Sequence, residues 1–287
     1  MTLKNVLAVH PSRREDIGDL VTRASMQGPQ SGVQVDPFIF LAHHGPQVYP
    51  PNNRGLPFGP HPHRGFETVT FILEGELTHS DSGGHVSTIG AGGVQWMTAG
   101  SGLVHAELSP DTFRRNGGPL EILQLWVNLP ARLKFTSPRY QGLQGAQIPK
   151  VETSGGKASL ALIAGQWNGA TGPVESITGN FMSVIDAKAG ASLSFDGLEG
   201  RSIFLYVVSG AVRVNGRDAA EHTLVQLSRS GDQLALEATS GVRLLFGHGQ
   251  PIHEPVVAHG PFVMNTVEEI RQAIVDYQAG KFGFVPA

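Results

Sequence analysis

Two stretches 135 residues apart read as copies of one another, and this repeat constrains the fold more than any other feature. Thr68-Val69-Thr70-Phe71-Ile72-Leu73 is a β-branched and aromatic run ending in Glu74-Gly75-Glu76. Ser202-Ile203-Phe204-Leu205-Tyr206-Val207-Val208 is a second such run, ending in Ser209-Gly210-Ala211. Runs of this composition form strands, and glycine at the same place after each gives the same turn. Other short apolar runs keep the rhythm: Phe38–Leu41, Leu77–Asp81, Val94–Met97 and Leu120–Val127 before residue 130, then Leu160–Ala164 and Phe181–Ile185. Ser82-Gly83-Gly84 marks a hairpin between two of them. Strands at this spacing with hardly any helix predict an all-β chain, and an internal repeat of this length predicts two similar barrels or sandwiches.

The boundary between the copies is expected within residues 128–150, where Pro130, Pro138, Gly142, Gly145 and Pro149 interrupt any apolar pattern. This divides the chain into 1–134 and 135–287. Residues 1–36 read as edge strands and turns, and Pro46–Pro60 as a surface loop. One helix is expected near the end. Asn265 or Thr266 serves as its N-cap with an acid three residues on, Val267, Ile270, Ile274 and Tyr277 form its apolar stripe, and Gly280 stops it.

The chemistry sits in the first copy. His61-Pro62-His63 and His105-Ala106-Glu107 each place two potential ligands two residues apart, on one face of an extended strand. If those strands are neighbours in one barrel, three imidazoles and a carboxylate converge and make a divalent transition-metal site. Glu67 is open at this level: a ligand, an acceptor for an imidazole N–H, or a solvated acid, since Gly65 can break the alternation from His63. Arg64 should face away from the metal and pair with a carboxylate, as a residue just behind the ligands or at the pocket. His79 and His85 flank the hairpin and read as surface residues or, for His79, as a residue of the pocket mouth. Gln95, Trp96 and Met97 read as core, while His43 and His44 carry no assignment. Under the 135-residue offset His61 falls on Asp196, His63 on Leu198 and Glu67 on Ser202. The place of His105 and Glu107 falls near Thr239-Ser240-Gly241-Val242, so the second copy lacks the ligands.

Composition narrows the classes further. The chain has no cysteine, which leaves His and carboxylates as the strong metal ligands. A formal net charge of −3 argues against a chain that coats nucleic acid directly. No stretch approaches the roughly 20 apolar residues that cross a bilayer, and the N-terminus lacks the apolar segment of a secretion signal. A soluble, cytoplasmic protein is the expectation.

His61-Pro62-His63-Arg64-Gly65-Phe66-Glu67-Thr68-Val69-Thr70, Gln95-Trp96-Met97-Thr98-Ala99-Gly100-Ser101-Gly102, His105-Ala106-Glu107 and the tail His259-Gly260-Pro261-Phe262-Val263-Met264-Asn265-Thr266 resemble the pirin family of the cupin superfamily. The resemblance runs over nearly the whole chain. It implies two tandem cupin barrels of jelly-roll type with a short C-terminal helix, and one metal in the N-terminal barrel held by His61, His63, His105 and Glu107. The wider superfamily takes its carboxylate ligand from the position of Glu67 and pirins from that of Glu107, so Glu67 is expected behind the imidazoles.

Fe(II) is the first expectation for the metal, with Mn, Ni, Co, Cu and Zn compatible with the same donors. The implied activity is that of a quercetin 2,3-dioxygenase, a metal-dependent cleavage of flavonols by O2 with loss of CO. Glu107 would be both ligand and general base for the flavonol 3-hydroxyl. The family also implies a rival role, a metal- or redox-responsive regulator that binds a transcription factor or metabolic enzyme. A sugar or small-acid isomerase is a third, weaker alternative. Ala42-His43-His44-Gly45-Pro46 and the long loop before His61 depart from the family pattern, at positions expected to shape the entrance and the substrate range.

Overall fold

The structure is a computed structural model that describes residues 2–28, 33 and 35–285; part of the stretch read as edge strands (29–32 and 34) lies outside the described residues. Strands dominate. The α-helices of the described residues are Asp111–Asn116, which the sequence reading did not anticipate, and Val267–Gln278. Among the described residues no helix is long and apolar enough to cross a membrane.

The chain forms two compact units, and they exchange their termini. One comprises Arg14–Gln34, Phe38–Ala146 and Ile252–Ala287, the other Met1–Arg13, Val35–Pro37 and Gln147–Pro251. The single boundary at 134/135 expected from the sequence therefore differs from the units of the fold. The C-terminal helix joins the half that carries His61, His63 and His105, and Val6–Pro11 pairs with Thr223–Leu227 in the other. Such pairings span the chain and leave no local signal.

In the first unit one sheet carries, in order, Arg139–Leu143, Val94–Thr98, Phe66–Glu74, Gly118–Asn128, Phe38–Tyr49 and Thr22–Gln27. The other runs Phe58–His63, Leu103–Leu108, Glu76–Asp81, Val86–Gly90. The second unit repeats both orders. Thr223–Leu227, Ser202–Ser209, Val242–Gly249, Phe181–Ala187 and Ala158–Ala164 match the five shared strands, and Ser192–Phe195, Leu234–Ala238, Ala211–Val214 and Arg217–Ala220 match the four. Gly75 and Gly210 close the equivalent turns at φ +82° and +78°, as the repeat requires. The strand Phe38–Tyr49 runs further than expected, so the loop before His61 is confined to residues 50–57.

The register within each unit corrects the sequence alignment of the copies. His79 pairs with Glu107, and His105 pairs with His61. The equivalent of His79 under the repeat is Val214, which pairs with Leu236; Leu236 pairs in turn with Leu193, and Leu234 with Phe195. The counterparts of Glu107, His105 and His61 are thus Leu236, Leu234 and Phe195, not Thr239–Val242 and Asp196. The connections after the hairpin are shorter in the second copy, so a constant offset fails there. Thr70 and Gln124, cross-strand partners, correspond to Leu205 and Phe246. All these counterparts lie in one buried apolar cluster. The second barrel is filled where the first is hollow and polar.

The C-terminal helix starts with the expected capping box, Thr266 accepting from the Glu269 N–H and the Glu269 side chain from the N-cap N–H. Its buried face is shifted from the expected stripe. Ile270 and Ala273 are inside, whereas Val267 and Tyr277 are 47% and 39% exposed. The difference is made by Asp276, a buried acid on the packed face that pairs with Arg64 (2.8 Å).

Candidate metal centre

The strands Phe58–His63 and Leu103–Leu108 are antiparallel neighbours with His105 directly opposite His61. His63 lies two residues further along the first strand, on the same face as His61. The three rings close on each other, with centroids 4.4 Å (His61–His105), 4.8 Å (His61–His63) and 5.0 Å (His63–His105) apart. One donor nitrogen from each lies within 4.8 Å of the other two. Gly65 ends the first strand at φ +89°, and a Cβ there would stand 2.0 Å from the Val263 carbonyl oxygen. That close approach brings the Pro261–Met264 segment against the site.

Two of the rings are oriented by backbone carbonyls. His61 Nδ1 donates to Gly59 O (2.7 Å) and His63 Nδ1 to Pro261 O (3.2 Å). A carbonyl can only accept, so each Nδ1 carries the proton and each Nε2 keeps its lone pair. His105 differs: both ring nitrogens are buried and neither has a hydrogen-bond partner among the described residues. A buried imidazole with no partner costs about 1–3 kcal/mol. A cation between the three rings removes that cost and fits the donor set. Burial, followed by the neighbouring His61 imidazole, holds His63 down to about 3, against the opposing bond to Pro261. Burial and the surrounding imidazoles of His63, His61 and His79 likewise keep His105 well below the usual histidine range. Both rings are therefore neutral near pH 7, the form that ligates a metal.

Glu107 is not among the donors within the 4.8 Å span. It faces the same cavity as His61 and His63 and is held by Thr70 Oγ1, which donates to Oε1 (2.7 Å), and by Gln124 Nε2, which donates to Oε2 (3.3 Å). Glu67 is not behind the imidazoles. Gly65 breaks the alternation, so Phe66 contacts the His63 ring while Glu67 points to the other face and accepts from Thr98 Oγ1 (2.7 Å). Burial, opposed by that Thr98 bond, raises its carboxyl to about 6.

Arg64 pairs with a carboxylate, that of Asp276. It bonds Ser101 O and Asp276 and lies 4.6 Å from the Phe282 ring centroid. Nearby, the buried Lys134 ammonium donates to Gly65 O, Asn128 Oδ1 and Val263 O, tying the loop after His63 to the C-terminal segment.

His79 is neither at the surface nor at the mouth. It is buried beside His105 (5.4 Å between centroids), stacked on Tyr140 at 4.1 Å, and bonded to Asp81 (2.9 Å). Burial pushes Asp81 up, but the bonds from His79 and His85 outweigh it and hold the carboxylate down at about 2. Asp81 also takes the Gly83 N–H of the hairpin, which explains why a buried acid is tolerated there. His85 is half exposed.

Two members of the triad, His61 and His63, line a cavity of about 420 Å³ together with Glu107, within the range of small-molecule sites. Phe40, Trp126 and Phe58 supply flat apolar walls, with the Phe40 and Trp126 rings 4.6 Å apart. Ala24 and Ala42 keep part of the wall low, and Thr22, His44 and Gln124 add polar atoms. Thr70, Gln124, Trp126 and His44 were not assigned from the sequence. For His44, Gln124 and Trp126 the one available signal was parity: each sits an even number of residues from another cavity-lining residue on its own strand.

Comparison with known proteins agrees with this architecture. The family model described as Pirin matches residues 20–127 and that described as Pirin C-terminal cupin domain matches residues 182–283. The chain is 40% identical to a Pseudomonas aeruginosa protein named "Putative quercetin 2,3-dioxygenase", over 98% of this chain and 99% of that one. It is similar to the crystal structure of quercetin 2,3-dioxygenase from Acinetobacter baumannii, with a TM-score of 0.93 at 36% identity over 99% of this chain and 100% of the other. A bacterial pirin from Escherichia coli in complex with nickel(II) shares the fold, with a TM-score of 0.66 at 19% identity over 85% and 99% of the two chains. With two barrels of the same strand order, a histidine triad in the first and an apolar interior in the second, the chain belongs to the pirin family.

Proposed function

We propose that this protein is a metal-dependent dioxygenase that cleaves flavonols with O2. The observation that carries the reading is that two histidines of the triad, His61 and His63, and Glu107 line an aromatic-walled cavity large enough for a small flat ligand. A site serving only as structure or sensor has no need of that space. The names of similar proteins support the substrate class.

His61, His63 and His105 would hold a divalent transition metal, and Glu107, outside the span of their donors but facing the same cavity, would be its fourth ligand. When bound, that metal supplies Lewis acidity toward a hydroxyl oxygen and the redox capacity to engage O2. The protein's own groups do the rest. Gly59 O and Pro261 O fix the ring orientations of His61 and His63. Phe40, Trp126 and Phe58 offer apolar ring surface against which a planar ligand would pack, excluding water from it. Glu107 takes the proton of the 3-hydroxyl on a carboxylate oxygen, and the Thr70 and Gln124 bonds keep that carboxylate aimed as its charge changes.

The test is quercetin turnover by protein of measured metal content, with O2 consumption and CO release followed together. Metal-dependent ring cleavage that stops without O2 is the expected result. Cleavage undiminished under anaerobic conditions, or the absence of turnover with every candidate metal, overturns the proposal.

A further inference from the structure

We propose that His44 is a specificity-determining residue of this cavity, its Nε2 accepting a hydrogen bond from a ligand hydroxyl remote from the metal triad. This inference rests on the flavonol reading and deepens it.

His44 and His43 are adjacent on the strand Phe38–Tyr49 and face opposite ways. His43 Nε2 bonds Glu121 (2.9 Å) on the far side, whereas His44 lines the cavity. The inner face of the sheet can be followed across its strands: Thr70 is opposite Gln124, Gln124 opposite Ala42, and Ala42 opposite Ala24. One step along, Ile122 is opposite His44 and His44 opposite Thr22. His44 is thus the diagonal neighbour of Gln124, about 7–8 Å away along the sheet. Gln124 in turn holds Glu107 at the metal end. Between the two ends lie the methyl groups of Ala42 and Ala24, which leave room for a flat molecule to extend from the triad to His44.

The tautomer follows from the partners. Thr22 Oγ1 has one proton and two contacts, Leu20 O at 3.3 Å and His44 Nδ1 at 2.8 Å. The carbonyl can only accept, so both contacts are satisfied only if the hydroxyl donates to Leu20 and accepts from Nδ1–H. Nε2 then carries the lone pair, and it has no partner among the described residues. Burial, then the neighbouring His43, lowers the ring to about 4, so it stays neutral at physiological pH. The other polar side chains of this wall are engaged, Gln27 with Glu15 and Gln124 with Glu107. An acceptor on a largely apolar wall selects a ligand that brings a donor, and a site built that way rejects the analogue lacking it.

The experiment uses a flavonol series that keeps the 3-hydroxyl and loses the other hydroxyls one at a time. Anaerobic binding to the metal-loaded protein is measured for the wild type, His44→Phe and His44→Gln, with metal content determined for each. Deletion of one hydroxyl is expected to weaken wild-type binding roughly tenfold. The same deletion should have no effect in His44→Phe and should regain its effect in His44→Gln, whose amide oxygen can accept. Equal effects of every deletion in wild type and His44→Phe overturn the role of His44 and leave the dioxygenase reading intact. Failure of the metal-loaded wild type to bind any flavonol overturns both. The ¹⁵N shifts of His44 in the wild type need no substitution: a proton on Nε2 in the free protein overturns the proposal, and a proton on Nδ1 supports it.

Discussion

At the scale of single residues, the site is marked by a polar group left without a partner. His105 is the informative one, because burying both nitrogens of an imidazole unpaired is unfavourable in the metal-free protein. Its counterpart in the second barrel is Leu234. Replacing His105 by Leu should therefore abolish metal binding while leaving the metal-free protein as stable or about 1–3 kcal/mol more stable. Metal analysis and urea unfolding measure the two effects, and a less stable metal-free variant would show that His105 has a structural role. His44 gives a second prediction, on pH. Burial, then His43, keeps its folded-state value at about 4, below its ordinary 6.5. Between these values the unfolded chain takes up a proton that the folded chain does not. The stability of the neutral form is full above pH 6.5 and falls on acidification, by about 1.4 kcal/mol per pH unit from this one residue. His44→Phe should flatten the pH dependence of unfolding free energy between pH 6.5 and 4 by that amount. An unchanged slope would show that the imidazole is not neutral in the fold.

At the scale of elements, a helix at the end of the chain supports a strand near its beginning. Asp276 accepts from Lys281, Arg64 and Gln272, and these bonds, the Lys281 one foremost, hold its carboxyl well below the usual range. Arg64 adjoins His63, and Pro261, just before the helix, accepts from the His63 ring. Asp276→Ala leaves the buried guanidinium without its carboxylate and should cost about 3 kcal/mol. It should also weaken metal affinity, since His63 loses part of its backing. Unfolding and metal titration of the same variant check this, and full metal affinity in a destabilised variant would separate the helix from the site. The sequence carried the strands of this arrangement better than their partners. Alternation within His61–His63 and the turn at Gly75 are local, so the triad and the repeat could be read directly. Asp276 opposite Arg64 and Gln124 opposite Thr70 depend on pairings 212 and 54 residues apart, which a linear pattern does not encode. His79 was misread for the same reason. Beside a glycine hairpin it looks exposed, and only the stacking of Tyr140, from a strand 61 residues later, buries it.

At the scale of the whole molecule, duplication has left two barrels with one strand order and opposite interiors. His61, Thr70, His79, His105, Glu107 and Gln124 in the first become Phe195, Leu205, Val214, Leu234, Leu236 and Phe246 in the second, where burial of apolar side chains fills the space. Apolar packing is stable without a ligand, whereas a polar hollow depends on what enters it. Metal binding should therefore stabilise one barrel selectively, and by mass action: about 2.7 kcal/mol at a free concentration one hundred times the dissociation constant. The expected stoichiometry is one ion per chain, falling to none in the His61→Phe, His105→Leu double variant. Hydrogen exchange with and without metal locates the effect. Amides of Phe58–His63 and Leu103–Leu108 should gain protection, while those of Ser192–Phe195 and Leu234–Ala238, their structural equivalents, should not respond. Two ions per chain, or direct binding at the second set of strands, would mean that the apolar interior is not what separates the two copies.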